Sequence, residues 1–212
     1  MAASAASPVK RPAQHLLGGL HVAVLATDGF EQVEMTGPVD ALHEMGVITK
    51  LVSPGSGKIQ GFHHDQPGDF FDVDLTLDEA RADDFDAVLL PGGVQNSDAL
   101  RTDVRAQKFV KHMDRAGKPL AVICHGPWLL VSAGLVKGRT ITSWPSLADD
   151  VRNAGGKWVD EAAHVDDNWV SSRKPDDIPA FNDELGRLLA RRTKESVRGT
   201  ADDIPAAAGT GG

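Results

Sequence analysis

The sequence predicts an α/β protein, a mostly parallel, doubly wound sheet covered by helices on both faces. Three observations predict it. Short apolar, β-rich runs alternate with helix-like stretches. Gly and Pro punctuate the ends of these segments. The alternation persists across most of the 212 residues. Strands that are continuously apolar and separated by helices belong to sheets buried on both sides.

The elements follow in chain order. "HVAVLA" (21–26) is a short β-rich run. Residues 33–45, "VEMTGPVDALHEM", have helical apolar spacing and stop at Gly46, with Pro38 inside as a possible kink. "VITKLVS" (47–53) reads as the next strand, and "FDAVLL" (85–90) as another that ends in Pro91-Gly92-Gly93. "VRAQKFVKHMDRAG" (104–117) is an amphipathic helix closed by Gly117. "PLAVIC" (119–124) is a strand, and "HGPWLLVSAG" a helix ending at Gly134. Residues 58–75 and 158–171 alternate and carry turn signals, which predicts short antiparallel pieces at the sheet's edge. "PDDIPAFNDELGRLLARR" (175–192) opens with Pro and two acids and is the expected last helix. Residues 1–19 and 193–212, rich in Ala and Gly, are expected to be loose tails around a single domain over 20–192.

Composition narrows the function. A formal net charge of -8, with no basic stripe standing out, argues against a nucleic-acid partner held through phosphates. No apolar run reaches the length of a membrane span, so no membrane partner is expected. One cysteine cannot form an internal disulfide, which points to a reducing, cytoplasmic setting. "GGL" (18–20) precedes its strand instead of following it and is no dinucleotide loop. His63, His64 and Asp65 lack metal-ligand spacing and read as an exposed loop. Neither a cofactor nor a metal is expected.

The lone thiol, Cys124, sits where a strand turns into a helix, in "LAVICHGPWLL". A buried structural cysteine is one reading. The other is a nucleophile raised on a tight strand–turn–helix elbow, the carboxyl end of a strand being where open α/β sheets bind ligands. A helix N-terminus would stabilise the thiolate, so a lowered thiol pKa is expected. Gly92 and Gly93 end the neighbouring strand. They form either a plain tight turn or a place where backbone N–H groups face an oxyanion. Trp128, Trp158 and Trp169 read as core or interface anchors.

The stretch from "AVICHGP" through "TSWPS" and "WVDE" resembles the PfpI branch of the ThiJ/PfpI superfamily, relatives of class I glutamine amidotransferase domains. "DGFEQVEMTGPVDAL" (28–42), "FDAVLLPGG" (85–93) and "NWVSSRKPDDIPAF" (168–181) extend the likeness from about residue 20 to 190. The resemblance implies a flavodoxin-like fold and a homodimer or higher homo-oligomer. It makes Cys124 the reactive cysteine and His125 its adjacent histidine, and it brings Trp144, where other branches have a histidine, near the thiol pocket. It implies an acid touching the thiol, Glu34 being favoured with Glu31 nearby, although both could simply complement a helix dipole. It also implies a carboxylate from a neighbouring subunit. Asp98 is the nearest match, and a helix-capping role suits it equally well.

These residues imply a PfpI-like stress protein with a cysteine-nucleophile, hydrolase-type site. The family has been linked to peptidase activity and to glyoxalase or deglycase activity, so the expected substrate is a small carbonyl compound or a peptide. Glutamine-fed amide transfer is not expected. The alternative is a non-enzymatic redox sensor or holdase chaperone using the same cysteine.

Overall fold

The computed structural model describes residues 17–202, with side chains through residue 193. The two expected tails therefore lie largely outside the described residues.

The first half of the chain runs β1 (His21–Leu25), β2 (Phe30–Glu31), α1 (Gln32–Glu44), β3 (Ile48–Ser53), β4 (Lys58–His63), β5 (Gln66–Asp72), β6 (Leu75–Thr76) and β7 (Ala87–Leu90). Then come α2 (Val94–Thr102), α3 (Val104–Arg115), β8 (Leu120–Ile123) and α4 (Pro127–Ser132). The chain continues with β9 (Thr140–Ile141), α5 (Ala148–Asn153), β10 (Lys157–Trp158), β11 (Ala163–Asp166), β12 (Trp169–Ser172) and α6 (Ile178–Asp202).

The main sheet has seven strands in the order β11-β12-β8-β7-β1-β3-β6. Every pairing in it is parallel except that of β11 with β12. Residues one apart on a strand face opposite sides, and two cores result. Val22 and Val24 of β1, with Leu89 and Ile123, pack under Leu42 of α1 and Phe181, Leu185 and Leu188 of α6. Ala23 and Leu25, with Val88 and Val122, pack under Phe109, Val110 and Met113 of α3 and Leu129 and Leu130 of α4. Each such fully buried aliphatic or Phe side chain contributes about 1.5–3 kcal/mol. That symmetry of burial is what the doubly wound reading requires.

Several boundaries differ from expectation, each for a physical reason. Pro38 lies inside α1 without ending it, and α1 continues to Glu44. Residues 58–72 form a β4–β5 hairpin, antiparallel as expected, but in a separate three-stranded sheet with β2. Only β11 is an antiparallel edge; β12 pairs in parallel with β8, its four residues all buried. Residues 175–177 form a 3-10 turn before α6, and α6 runs on to Asp202 where a loose tail is expected. α2 is hinted at in the sequence only by the capping alternative for Asp98. Its buried residues are Asn96, Ser97 and Leu100, so two of the three are polar and no apolar stripe marks it.

α3 holds a second surprise. Lys108, Lys111, His112 and Arg115, at helical spacing, line one surface cleft. They form a short basic stripe that a linear reading of an acidic chain misses. His112 is paired with Asp83 at 2.6 Å.

Candidate active site

Cys124 follows β8 directly and has φ of +60°, a left-handed conformation uncommon for a residue with a side chain. Such strain costs about 1–3 kcal/mol and persists only where neighbours enforce it. Here the Cys124 N–H donates to Ser172 C=O at 3.1 Å, and Cys124 C=O accepts from Trp144 N–H at 2.9 Å. Gly126 N–H closes the turn onto Ile123 C=O at 2.9 Å. Gly126 has to be glycine, because a Cβ there would stand 2.6 Å from Leu90 O. The elbow expected from the sequence is therefore present, and it turns the thiol toward the carboxyl end of the sheet.

His125 reaches back to the thiol. Its Nδ1 lies 3.2 Å from Cys124 Sγ. The ring is flanked by Trp144, near-parallel at 6.0 Å, and by the edge of Trp128 at 5.3 Å. Burial lowers the His125 pKa. The imidazole is accordingly neutral at pH 7 and able to accept a proton. Trp128 is itself fixed, its Nε1–H donating to Asp150 at 2.8 Å.

Glu34, in the first turn of α1, is fully buried against the thiol. Its Oε2 accepts from Gly92 N–H at 2.9 Å, while Oε1 has no partner in hydrogen-bonding geometry. Burial pushes the Glu34 pKa from 4.5 up to about 8, against the opposing pull of Cys124 and the Gly92 N–H. Glu34 is thus a carboxylic acid at neutral pH, able to donate to sulfur. Glu31 is separate: its Oε2 accepts from His64 N–H at 3.0 Å and lies 3.5 Å from His64 Nδ1. Of the two acids, Glu34 meets Cys124 and Glu31 holds the β4–β5 hairpin at the rim.

The expected low thiol pKa is corrected. Burial raises it, and a charged Glu34 raises it further; the N–H groups of His125 and Gly93 oppose both. The helix dipole cannot win here, since α4 has only 6 residues and begins three positions after the sulfur.

Gly92 and Gly93 are more than a plain turn. A Cβ on Gly92 would stand 2.4 Å from Glu34 Oε2 and 2.7 Å from Cys124 Cβ. Gly93 has φ of +89°, and its Cβ would stand 2.3 Å from Gly29 O. Only backbone fits between the acid, the thiol and the β1–α1 connection.

Above the thiol opens a cleft of about 490 Å³, lined in part by Glu31, Glu34, Gly93, Cys124, His125 and Trp144. Trp144 is 39% exposed and forms part of its wall. His64 and Asp65 also line it, with Phe62, Gln95 and Pro175. The sequence singles out His64 and Asp65 only as an exposed loop; their place at the cleft depends on the hairpin folding over α1. Among the described residues no three His, Cys, Asp or Glu side chains converge as a metal site would require. Asp98 does not line the cleft. It is exposed in the middle of α2, which starts at Val94, so the capping alternative is excluded.

The sequence profile of the DJ-1/PfpI family matches residues 20–187. The chain belongs to the DJ-1/PfpI family. Among DJ-1/PfpI relatives, it is 44% identical over 170 residues to "Deglycase TK1284" of Thermococcus kodakarensis, covering 80% of this chain and 99% of that protein. It is 41% identical over 169 residues to "Putative cysteine protease YraA" of Bacillus subtilis, covering 79% and 97%. The solved structure of DJ-1beta from Drosophila melanogaster superposes with a TM-score of 0.73 at 25% identity, covering 86% of this chain and 97% of that one. The flavodoxin-like α/β sandwich implied by the sequence is therefore the DJ-1/PfpI fold. Among the described residues no helix is long and apolar enough to cross a membrane.

Proposed function

We propose that this DJ-1/PfpI protein is a stress-associated, cysteine-dependent hydrolase of the deglycase kind, with Cys124 as nucleophile. The observation that carries the reading is the 3.2 Å contact between Cys124 Sγ and His125 Nδ1 at a strained elbow. A structural cysteine needs neither the strain nor the histidine.

The chemistry follows from the protonation states. Neutral His125 takes the thiol proton. The thiolate adds to a carbonyl carbon: the S–C bond forms as the C=O electron pair moves onto oxygen. The N–H groups of Gly93 and His125 already face the sulfur, and they are placed to receive the new oxyanion. Protonated Glu34 keeps negative charge off the neighbouring carboxyl while the sulfur is ionised. With a peptide or amide, the departing nitrogen takes its proton from the His125 imidazolium, and water then releases the acyl group and restores the thiol. With a carbinolamine adduct of an amine, the S–C bond forms at the carbinol carbon as the C–N bond breaks, the amine takes its proton from the His125 imidazolium, and the resulting hemithioacetal collapses to the carbonyl compound and the free thiol. The names of the relatives support both substrate classes, a deglycase in one case and a cysteine protease in another.

Exposed Val94 and Trp144 at the cleft, and exposed Asp98 on α2, support work as a homodimer or higher homo-oligomer, and the single cysteine supports a reducing, cytoplasmic setting. The deciding experiment compares wild type with Cys124→Ser on methylglyoxal–amine adducts and on casein. Turnover of either substrate that falls about 10³-fold or more in Cys124→Ser is expected. Turnover unchanged in Cys124→Ser would sink the nucleophile role. Absence of turnover on both, with Cys124 oxidised by peroxide, would favour the redox-sensor or holdase alternative.

A further inference from the structure

Asn96 lies in the first turn of α2, outside every motif that the sequence analysis singles out, and it is fully buried. Its side-chain amide makes three hydrogen bonds, all to backbone. Oδ1 accepts from Thr27 N–H at 2.8 Å, in the loop that follows β1. Nδ2 donates to Pro91 C=O at 3.1 Å and to Gly92 C=O at 2.9 Å. Gly92 C=O takes a second bond from Glu31 N–H at 3.3 Å.

The consequence comes from peptide geometry. In a planar trans unit the C=O of one residue and the N–H of the next point in opposite directions, and no peptide among the described residues is cis. Holding Pro91 C=O therefore sets the direction of Gly92 N–H. Holding Gly92 C=O sets the direction of Gly93 N–H. The first of these N–H groups donates to Glu34 Oε2 at 2.9 Å. The second faces the sulfur of Cys124.

We propose that Asn96 is a positioning residue of the Cys124 site, its one amide aiming two consecutive backbone N–H groups, one at Glu34 and the other at Cys124. The proposal rests on the reading of Cys124 as the nucleophile, with protonated Glu34 beside it. The reason such a residue is needed lies in the turn itself. Gly92 and Gly93 must lack side chains to fit between the acid and the thiol, and glycine leaves a backbone free to rotate. Something outside the turn has to supply the rigidity that its own residues cannot. A primary amide suits the task, offering two N–H donors and one acceptor in a single plane. Aspartate has at most one donor, and alanine has none.

The test compares wild type with Asn96→Ala, Asn96→Asp and Leu100→Ala. Leu100 is buried on the same helix but makes no bond to residues 91–93 through its side chain, so it controls for loss of helix packing. Two readouts are taken at a temperature where circular dichroism shows each variant folded: the pH midpoint of Cys124 alkylation by iodoacetamide, and kcat and KM for the adduct substrate. Asn96→Ala is expected to move the alkylation midpoint to higher pH. Its kcat should fall about tenfold or more, less than deleting an oxyanion donor outright, with KM within about twofold. Asn96→Asp, nearly the same size, should shift both in the same direction and carries the test if Asn96→Ala does not fold. Leu100→Ala should keep the wild-type midpoint and kcat while losing stability. Folded Asn96 variants with wild-type alkylation and kcat would overturn the proposal, as would Leu100→Ala reproducing their shifts. If Cys124→Ser turns over the substrate as wild type does while the Asn96 variants still move the alkylation midpoint, the proposed reaction fails and the positioning role stands.

Discussion

Glu34→Gln should remove a specific pH dependence from the stability of this protein. A carboxyl in the unfolded chain titrates at its ordinary value, while folded Glu34 is held up at about 8 by burial. The folded state therefore binds a proton more tightly than the unfolded state does. Stability from this group is fully present below about 4.5 and is lost as pH rises toward 8. A rise from 4.5 to about 8 spans about 3.5 pH units, and at ~1.36 kcal/mol per unit the full loss is about 5 kcal/mol. At pH 7 roughly 3–4 kcal/mol of it has already been lost. Glutamine keeps an oxygen for the Gly92 N–H and cannot ionise, so its curve lacks this loss. The assay is urea denaturation of both proteins from pH 4.5 to 9. The informative quantity is the difference between the two unfolding free energies, since other titrating groups cancel in it. The variant should gain on wild type steadily as pH rises, then level off above about pH 8. A flat difference across that window would mean that Glu34 is ionised in the folded protein. It could then not serve as a hydrogen-bond donor to a thiolate.

The same protonation states shape the rate. Cys124-dependent turnover should rise with pH as His125 becomes neutral, with a midpoint below the ordinary histidine value of 6.5, and fall as Glu34 ionises near 8; a rate still climbing at pH 9 would contradict a protonated Glu34 in the working state. Gly126→Ala places a Cβ 2.6 Å from Leu90 O and should cost about 1–3 kcal/mol in denaturation while slowing Cys124 alkylation; a variant of wild-type stability would show that the elbow is not packed as described. Asp98→Ala should leave the fold intact but lower activity if a partner subunit's cleft uses this carboxylate; light scattering and activity measured together separate loss of assembly from loss of the acid.

Much of the fold was legible because burial on both faces of the sheet leaves a plain mark. "AVLL" at 87–90 and "LAVI" at 120–123 are wholly apolar, and both are central strands. α3 declares itself through Ala106, Phe109, Val110 and Met113 at helical spacing. α2 stayed hidden because two of its three buried positions, Asn96 and Ser97, are polar. Periodicity reads apolar burial, and here part of the burial is of hydrogen-bonding groups. The two-residue strands β2, β6, β9 and β10 are too short for any pattern to form. The β4–β5 hairpin alternates as a hairpin should, yet nothing local says that β4 pairs with β2, which is what carries His64 and Asp65 to the cleft.

The thiol shows where position along the chain and position in space disagree. A cysteine between a strand and a helix suggests a thiolate held by the helix dipole. That argument counts one favourable effect and omits the larger one, the removal of the sulfur from water. Cys124 is 7% exposed, and the nearest carboxyl is the fully buried Glu34. Ionising either group alone is costly, and ionising both is costlier still, because the second charge would sit beside the first. A shared negative charge on the pair is the most this pocket can hold, and the N–H groups of Gly93 and His125 draw it toward sulfur. Reactivity therefore depends on the aim of a few backbone dipoles rather than on a pre-ionised thiol. One of those dipoles belongs to Gly93, a glycine that cannot hold its own orientation, so the residues proposed to decide the chemistry include a buried asparagine that never touches the sulfur.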